Sequence, residues 1–130
     1  MEQRAVIKVK HKGNFRNTER FFAQAPKAVK REILETYGRA GVTALASATP
    51  VDSGETAAAW SYEIVQTSGG HSIFWTNSHI NKGVNIAVIL QYGHGTGTGG
   101  YVKGIDYINP ALRPVFEQLA DAAWREVMSS

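Results

Sequence analysis

The sequence predicts an α+β fold, a small antiparallel sheet of about three to four strands packed against two amphipathic helices. Three observations carry that expectation. Residues 26–48 and 109–128 space their apolar positions by three and four, as helices do. Residues 59–67 and 72–77 alternate apolar and polar positions around Ser68, Gly69 and Gly70, as the arms of a hairpin do. The chain has 130 residues, which suits a single domain able to bury about two thirds of its unfolded surface.

Taken in order, residues 4–10 set Val6, Ile7 and Val9 among Arg and Lys, a short strand whose lysines discourage stray pairing at a sheet edge. Gly13 and Asn14 interrupt it. Residues 17–22 are expected to form a turn of helix capped by Asn17 or Thr18, which leaves residues 1–25 as a basic, flexible arm ahead of the core. The first long helix is expected over 26–48, with Pro26 in its first turn and Val29, Ile33, Tyr37, Ala40, Ala44 and Ala48 forming one apolar stripe. Gly38 and Gly41 each cost such a helix about 1 kcal/mol relative to alanine, so a close backbone approach is the expected reason for them. Thr49 before Pro50 ends it.

After a loop over 50–54, Trp60, Tyr62 and Ile64 oppose Ser61, Glu63 and Val65 along a half-buried strand. Ile73 and Trp75 oppose Phe74 and Thr76 along its hairpin partner. A polar loop over 78–83 leads to a third strand expected over 84–92, apolar enough to be central. The glycine-rich segment 93–107 follows. The last helix is expected to begin at an Asn109 cap with Pro110 first, and to bury Leu112, Phe116, Leu119, Ala123 and Val127; Pro114 removes one donor and bends its opening.

Several function classes lose their chemistry here. There is no cysteine, hence no disulfide framework and no thiolate metal site, a usage that suits a reducing compartment. The longest apolar run, residues 86–90, falls far short of the ~20 residues a membrane helix needs, and no leader pattern opens the chain. The net charge of +3 divides unevenly, because residues 1–40 hold ten Lys or Arg against four Glu and the remainder is acidic. A basic end with an acidic remainder suits nucleic-acid contact or head-to-tail packing of copies of one protein. A solvated basic tail gives the same pattern.

Gly95, Gly97 and Gly100 fit G-x-G-x-x-G after an apolar segment, as a dinucleotide fingerprint would. That fingerprint works through a helix that opens directly from the loop and offers its N–H groups to phosphate. No helix is expected until about Asn109. The glycines then signify a flexible arm or long loop. His11, His71, His79 and His94 lack metal-ligand spacing, and Asp52, Ser53 and Glu55 lack a nucleophile elbow; they are ordinary turn and capping residues. No catalytic group, cofactor or metal site is expected. Trp60, Trp75, Tyr62 and Phe74 could stack single-stranded bases beside Lys8, Lys10, Lys12, Arg16, Lys27, Lys30 and Arg31, but hairpin aromatics more often form core. Trp124 lies off the last helix's stripe, where an exposed tryptophan suits a subunit interface.

An ordered set of short pieces resembles a known family. Thr49, Pro50, Val51, Asp52, Ser53 and Gly54 come first, then Asn77, then the apolar run into Tyr92 and Gly93 with His94, Gly95 and Thr96, then Asn109 and Pro110 opening a C-terminal helix. This order is similar to the neck and tail-completion proteins of long-tailed bacteriophages, the putative tail-component family with a gene-product-10-like domain. The likeness spans about residues 26–128. Gln91 departs from it, standing where the family often has an acidic residue, and the glycine-rich insertion is long. The resemblance implies a non-enzymatic virion protein assembling as a hexameric ring between the head connector or stopper and the tail terminator or tail tube. Phage DNA would pass through the lumen, and no membrane is involved. It also implies subunit contacts through Tyr92, Gly93, His94, Gly95, Thr96, Tyr101, Val102 and Trp124, with the glycine arm ordered only on assembly. A small basic nucleic-acid-binding module is the second reading.

Overall fold

The computed structural model describes residues 9–12, 20–27, 29–50, 54–68, 70–81, 84–95 and 99–129. The expected α+β class is found. Strands β1 (Val9–Lys12), β2 (Arg20–Ala25), β3 (Trp60–Thr67) and β4 (Gly70–Asn77) form one antiparallel sheet in the order β1-β2-β4-β3. Helices α1 (Arg31–Ala48) and α4 (Ile108–Ser129) pack on each other and on one face of it. Between them lie a short helix α2 (Gly54–Ala57), a two-residue ladder of β5 (Ile80–Asn81) with β6 (Val84–Asn85), helix α3 (Ile86–Tyr92), and a small ladder of β7 (Gly93–Gly95) with β8 (Tyr101–Lys103).

The core forms where the inward rows of the sheet meet the helices. Phe21, Ala23 and Ala25 of β2 and Ile73 and Trp75 of β4 are buried against Leu34 and Leu45 of α1 and Ile108, Leu112, Phe116, Leu119 and Ala123 of α4. The C-terminal stripe is therefore the expected one as far as it is described, with the side chain of Val127 outside the described residues.

Helix α1 corrects its expected stripe and its start. It begins at Arg31, because Pro26 opens a tight turn in which the Val29 N–H donates to the Pro26 carbonyl at 3.2 Å, and Lys30 is extended. Its buried residues are Leu34, Gly38, Gly41 and Leu45, with Ile33, Tyr37 and Ala48 on the flank. Side-chain size misplaced the stripe, since the helix touches the sheet through its glycines. A Cβ on Gly38 would overlap the Tyr62 ring, and one on Gly41 would overlap the Trp75 indole, the close approach expected of these two positions. The Trp75 indole N–H donates to the Gly38 carbonyl at 3.0 Å.

Two further expectations fail. The helical turn at 17–22 is instead the start of β2 in the part that is described, with Phe21 opposite Trp75 and Phe22 opposite Phe74. Pairing with β4 outweighs local capping chemistry, and it brings the N-terminal region into the sheet through β1. The strand expected over 84–92 is two residues of β6 and then α3. Asn85 stops the extended chain by accepting the Val88 N–H on its side chain, an N-cap, and Ala87, Val88 and Gln91 then face inward at helical spacing. A short apolar run fits either element, and the cap decides between them.

Candidate assembly surface

The surface that stands out is built around α3 and the β7–β8 ladder. Helix α3 ends at Gly93, whose φ of 86° lies in the left-handed region, and the chain turns into β7. Gly93, His94 and Gly95 pair with Lys103, Val102 and Tyr101. Thr96 and the rest of the tip, residues 96–98, lie outside the described residues. The glycine-rich segment is thus a β-hairpin at its base, which corrects the expectation of an arm without order before assembly.

Three ties clamp that base. The Tyr101 hydroxyl donates to the Tyr92 carbonyl at 2.9 Å, and the Ile105 N–H donates to the Leu90 carbonyl at 2.9 Å. The third is a side chain. Gln91, 7% exposed, accepts the N–H groups of Tyr107 and Ile108 on Oε1 at 3.0 and 2.9 Å, and donates from Nε2 to Asp106 at 2.7 Å. Gln91 therefore caps α4 from outside, supplying an acceptor to two of the donors that a helix start leaves unpaired. Asn109, expected as the cap, instead lies inside the helix and donates to the Asp106 side chain. Pro110 is exposed in the first turn. Tyr107 is buried with its hydroxyl donating to the Ala87 carbonyl at 2.7 Å, and burial pushes its pKa well above the ordinary phenol range.

Gly104 belongs to the same construction. A Cβ there would overlap the Gln91 carbonyl and the backbone of Tyr92 and Gly93, so only glycine lets the returning strand pass this close to α3.

With its base clamped, the hairpin presents apolar side chains to solvent. Tyr92 is 38% exposed, Tyr101 66%, Val102 47% and Ile105 62%. Tyr92 and Tyr101 line an open cavity of about 260 Å³ floored by Val88, Ile89 and Gly93. Tyr92, Tyr101 and Val102, expected at a subunit contact, thus stand together and exposed. Trp124 does not join them: it lies on α4 and is half-buried.

The remaining expected positions serve other ends. Thr49 is buried, donates its hydroxyl to the Leu45 carbonyl at 2.6 Å and accepts the Trp60 indole N–H at 3.0 Å, so it closes α1 onto β3. Pro50 is half-buried beside it and Gly54 opens α2, while Val51, Asp52 and Ser53 lie outside the described residues. Asn77 joins three elements: its amide donates to the Thr56 carbonyl at 2.8 Å, its side-chain oxygen accepts the His79 N–H at 2.9 Å, and its carbonyl accepts from Asn85 at 3.0 Å. Thr56, His79 and Glu55 form a hydroxyl–imidazole–carboxylate line, at 2.6 Å from Oγ1 to Nδ1 and 3.6 Å from Nε2 to Oε2. Thr56 is fully buried, so its hydroxyl holds α2 to the β4–β5 connection and is out of reach of a substrate. Among the described residues no group of three His, Asp or Glu is placed to hold a metal, and no helix is long and apolar enough to cross a membrane.

The basic residues are spread over two places. Lys10 and Lys12 lie on β1, whereas Lys27, Lys30 and Arg31 surround the start of α1, where Lys30 approaches Glu126 at 3.7 Å and Arg31 pairs with Glu35 at 3.3 Å. Lys8 and Arg16 are outside the described residues. A second open groove, about 410 Å³, runs between α1 and β3 and is lined by Arg39, Val42, Thr43, Trp60, Ser61 and Tyr62. Sequence reasoning missed it, because it depends on β3 standing at the edge of the sheet. No family model, curated protein or solved structure matches the chain.

Proposed function

We propose that this chain is a structural protein of the bacteriophage virion neck, a ring that joins the head connector to the tail tube and surrounds the DNA channel. The observation that carries the reading is the clamped hairpin with Tyr92, Tyr101, Val102 and Ile105 in solvent. Large apolar side chains gathered on a projecting element mark contact surfaces, and a ring requires one face of each copy to meet a different face of the next. The resemblance of the ordered motifs to tail-completion proteins names the setting. Copies of the same chain, expected as a hexamer, would be the lateral partners, with the connector or stopper above and the tail terminator or tube below. The role calls for no cofactor and no catalysis.

The nucleic-acid-binding alternative is weakened by burial. Of its four stacking candidates, Trp60 and Trp75 are 6% and 0% exposed, and Tyr62 and Phe74 are half-buried.

Light scattering and negative-stain microscopy of the purified chain test the proposal. Closed rings at elevated protein concentration, with only weak DNA binding by the monomer, are the expected result. A monomer at every concentration that binds DNA with a steep salt dependence would overturn it in favour of the alternative.

A further inference from the structure

We infer that the ring closes by sheet extension, with β1 of one copy pairing alongside β3 of the next. The inference rests on the assembly reading above and specifies its lateral contact. Among the described residues neither β1 nor β3 has a strand on its outer side. Within the described residues each therefore offers an edge row of backbone donors and acceptors. Among the described residues the sheet has four strands, every neighbouring pair antiparallel, so β1 and β3 run in opposite directions. A second copy set beside the first in the same orientation therefore presents its β1 antiparallel to β3. An odd number of strands would have brought two parallel edges together.

The backbone register agrees with that join. One line of paired positions crosses the described sheet as Lys10, Phe22, Phe74 and Glu63, a lysine position at one edge and a glutamate position at the other. The lines of paired positions on either side of it are His11, Phe21, Trp75 and Tyr62 on one side and Val9, Ala23, Ile73 and Ile64 on the other. Continuing the lines into a second copy sets Lys10 beside Glu63, His11 beside Tyr62 and Val9 beside Ile64. Tyr62 and Ile64 are only half-buried in the single chain, and the groove of about 410 Å³ runs past Tyr62 along this edge. Lysine on an edge strand deters pairing with most edges, and an acid at the matching position removes that deterrent for one partner. The contact is heterologous, since each copy gives one edge and receives at the other, and so it can propagate around a ring.

The chain has no cysteine, so single cysteines report on this contact without background. Lys10→Cys and Glu63→Cys variants are prepared separately, mixed at a concentration that supports assembly, and treated with a short bis-maleimide that spans the about 5 Å between directly opposed cross-strand Cβ atoms. The mixture is expected to give a covalent dimer on a denaturing gel, several-fold more than either variant alone. As a second measurement, Lys10→Glu is expected to weaken assembly about fivefold, since it sets like charges opposite each other, and adding Glu63→Lys to the same chain is expected to restore it. Rings seen by light scattering, with no more cross-link in the mixture than in the single variants, would overturn the edge pairing and leave the ring reading standing. Absence of both assembly and cross-link would overturn the two together.

Discussion

Two regions of this molecule use glycine in opposite ways. On α1, Gly38 and Gly41 are places where the helix gives up side chains so that Tyr62 and Trp75 can press against its backbone; Trp75 ends up fully buried and Tyr62 half-buried. At the hairpin, Gly93 and Gly104 are places where the chain folds back on α3 so closely that Tyr92 and Tyr101 are left outside. The first arrangement contributes stability to the single chain. The second spends backbone order on a surface that gains nothing until something covers it, which is the mark of a part made for contact.

The sharpest way to break the comparison is at Gly41. Alanine there gains about 1 kcal/mol of helix propensity, but its Cβ meets an indole held on one side by the Gly38 carbonyl and faced on the other by Phe116, with ring centroids 5.6 Å apart. So close an approach puts the overpacking cost at the upper end of about 1–3 kcal/mol, and Gly41→Ala is expected to destabilise by a net of about 2 kcal/mol, read as a lower urea midpoint; a rise would mean that the helix stands off the sheet. Gln91→Ala comes next, since it strands the N–H groups of Tyr107 and Ile108 and should destabilise by about 1–2 kcal/mol, read in the same denaturation experiment. The paired change Val102→Ser with Ile105→Ser, which leaves the Tyr101 hydroxyl bond in place, should move stability by less than about 0.5 kcal/mol. The same pair is expected to reduce assembly measured by light scattering, and a large stability loss would show that the exposed hairpin belongs to the core after all.

The smallest effect concerns the rim of the core. Tyr62 donates a hydrogen bond to Glu35, which holds the Glu35 pKa below the ordinary carboxylate value, with Arg31 and Arg39 acting in the same direction and desolvation opposing them. Because the folded-state pKa is depressed, this contribution is present above the unfolded carboxylate pKa and is lost as pH falls through the lower folded value. The same bond raises the Tyr62 pKa, so its contribution is present below the unfolded phenol value and is lost as pH rises through the higher folded one. Tyr62→Phe should lower the centre of a stability–pH profile slightly and flatten both limbs, so that the variant approaches the parent at the two pH extremes; unchanged limbs would show that Glu35 has no such partner in solution.

These contrasts also explain what could be read in advance. The β3–β4 hairpin and the α4 stripe were legible because their apolar residues are large and periodic, and Trp60 and Trp75 went where such residues usually go. The α1 stripe was displaced because its contact face is made of glycines, which a pattern of large side chains passes over. Residues 84–92 were misjudged as strand, since seven apolar or small residues carry little period and the deciding element is the single side chain of Asn85. At the candidate surface, Tyr92, Tyr101 and Val102 were found by their place around the glycines, but Ile105, the groove beside β3 and the partnership of Gln91 with α4 depend on which elements become neighbours. Nothing local in the sequence encodes that the acceptor for two N–H groups lies 16 and 17 residues upstream.

Gln91 has a mechanical consequence. A hairpin joined to a domain only by its two strand ends would swing when pulled, and the pull would go no further. Here the amide ties the last turn of α3 to the first turn of α4, and α4 runs the length of the core against α1. A force applied at Tyr101 is passed through Tyr92 and Gln91 into the long axis of α4 and so into the body of the domain. In the proposed ring, neighbours gripping the hairpin would thus be coupled to one another as rigid links, and a strain on one copy would be shared by all of them.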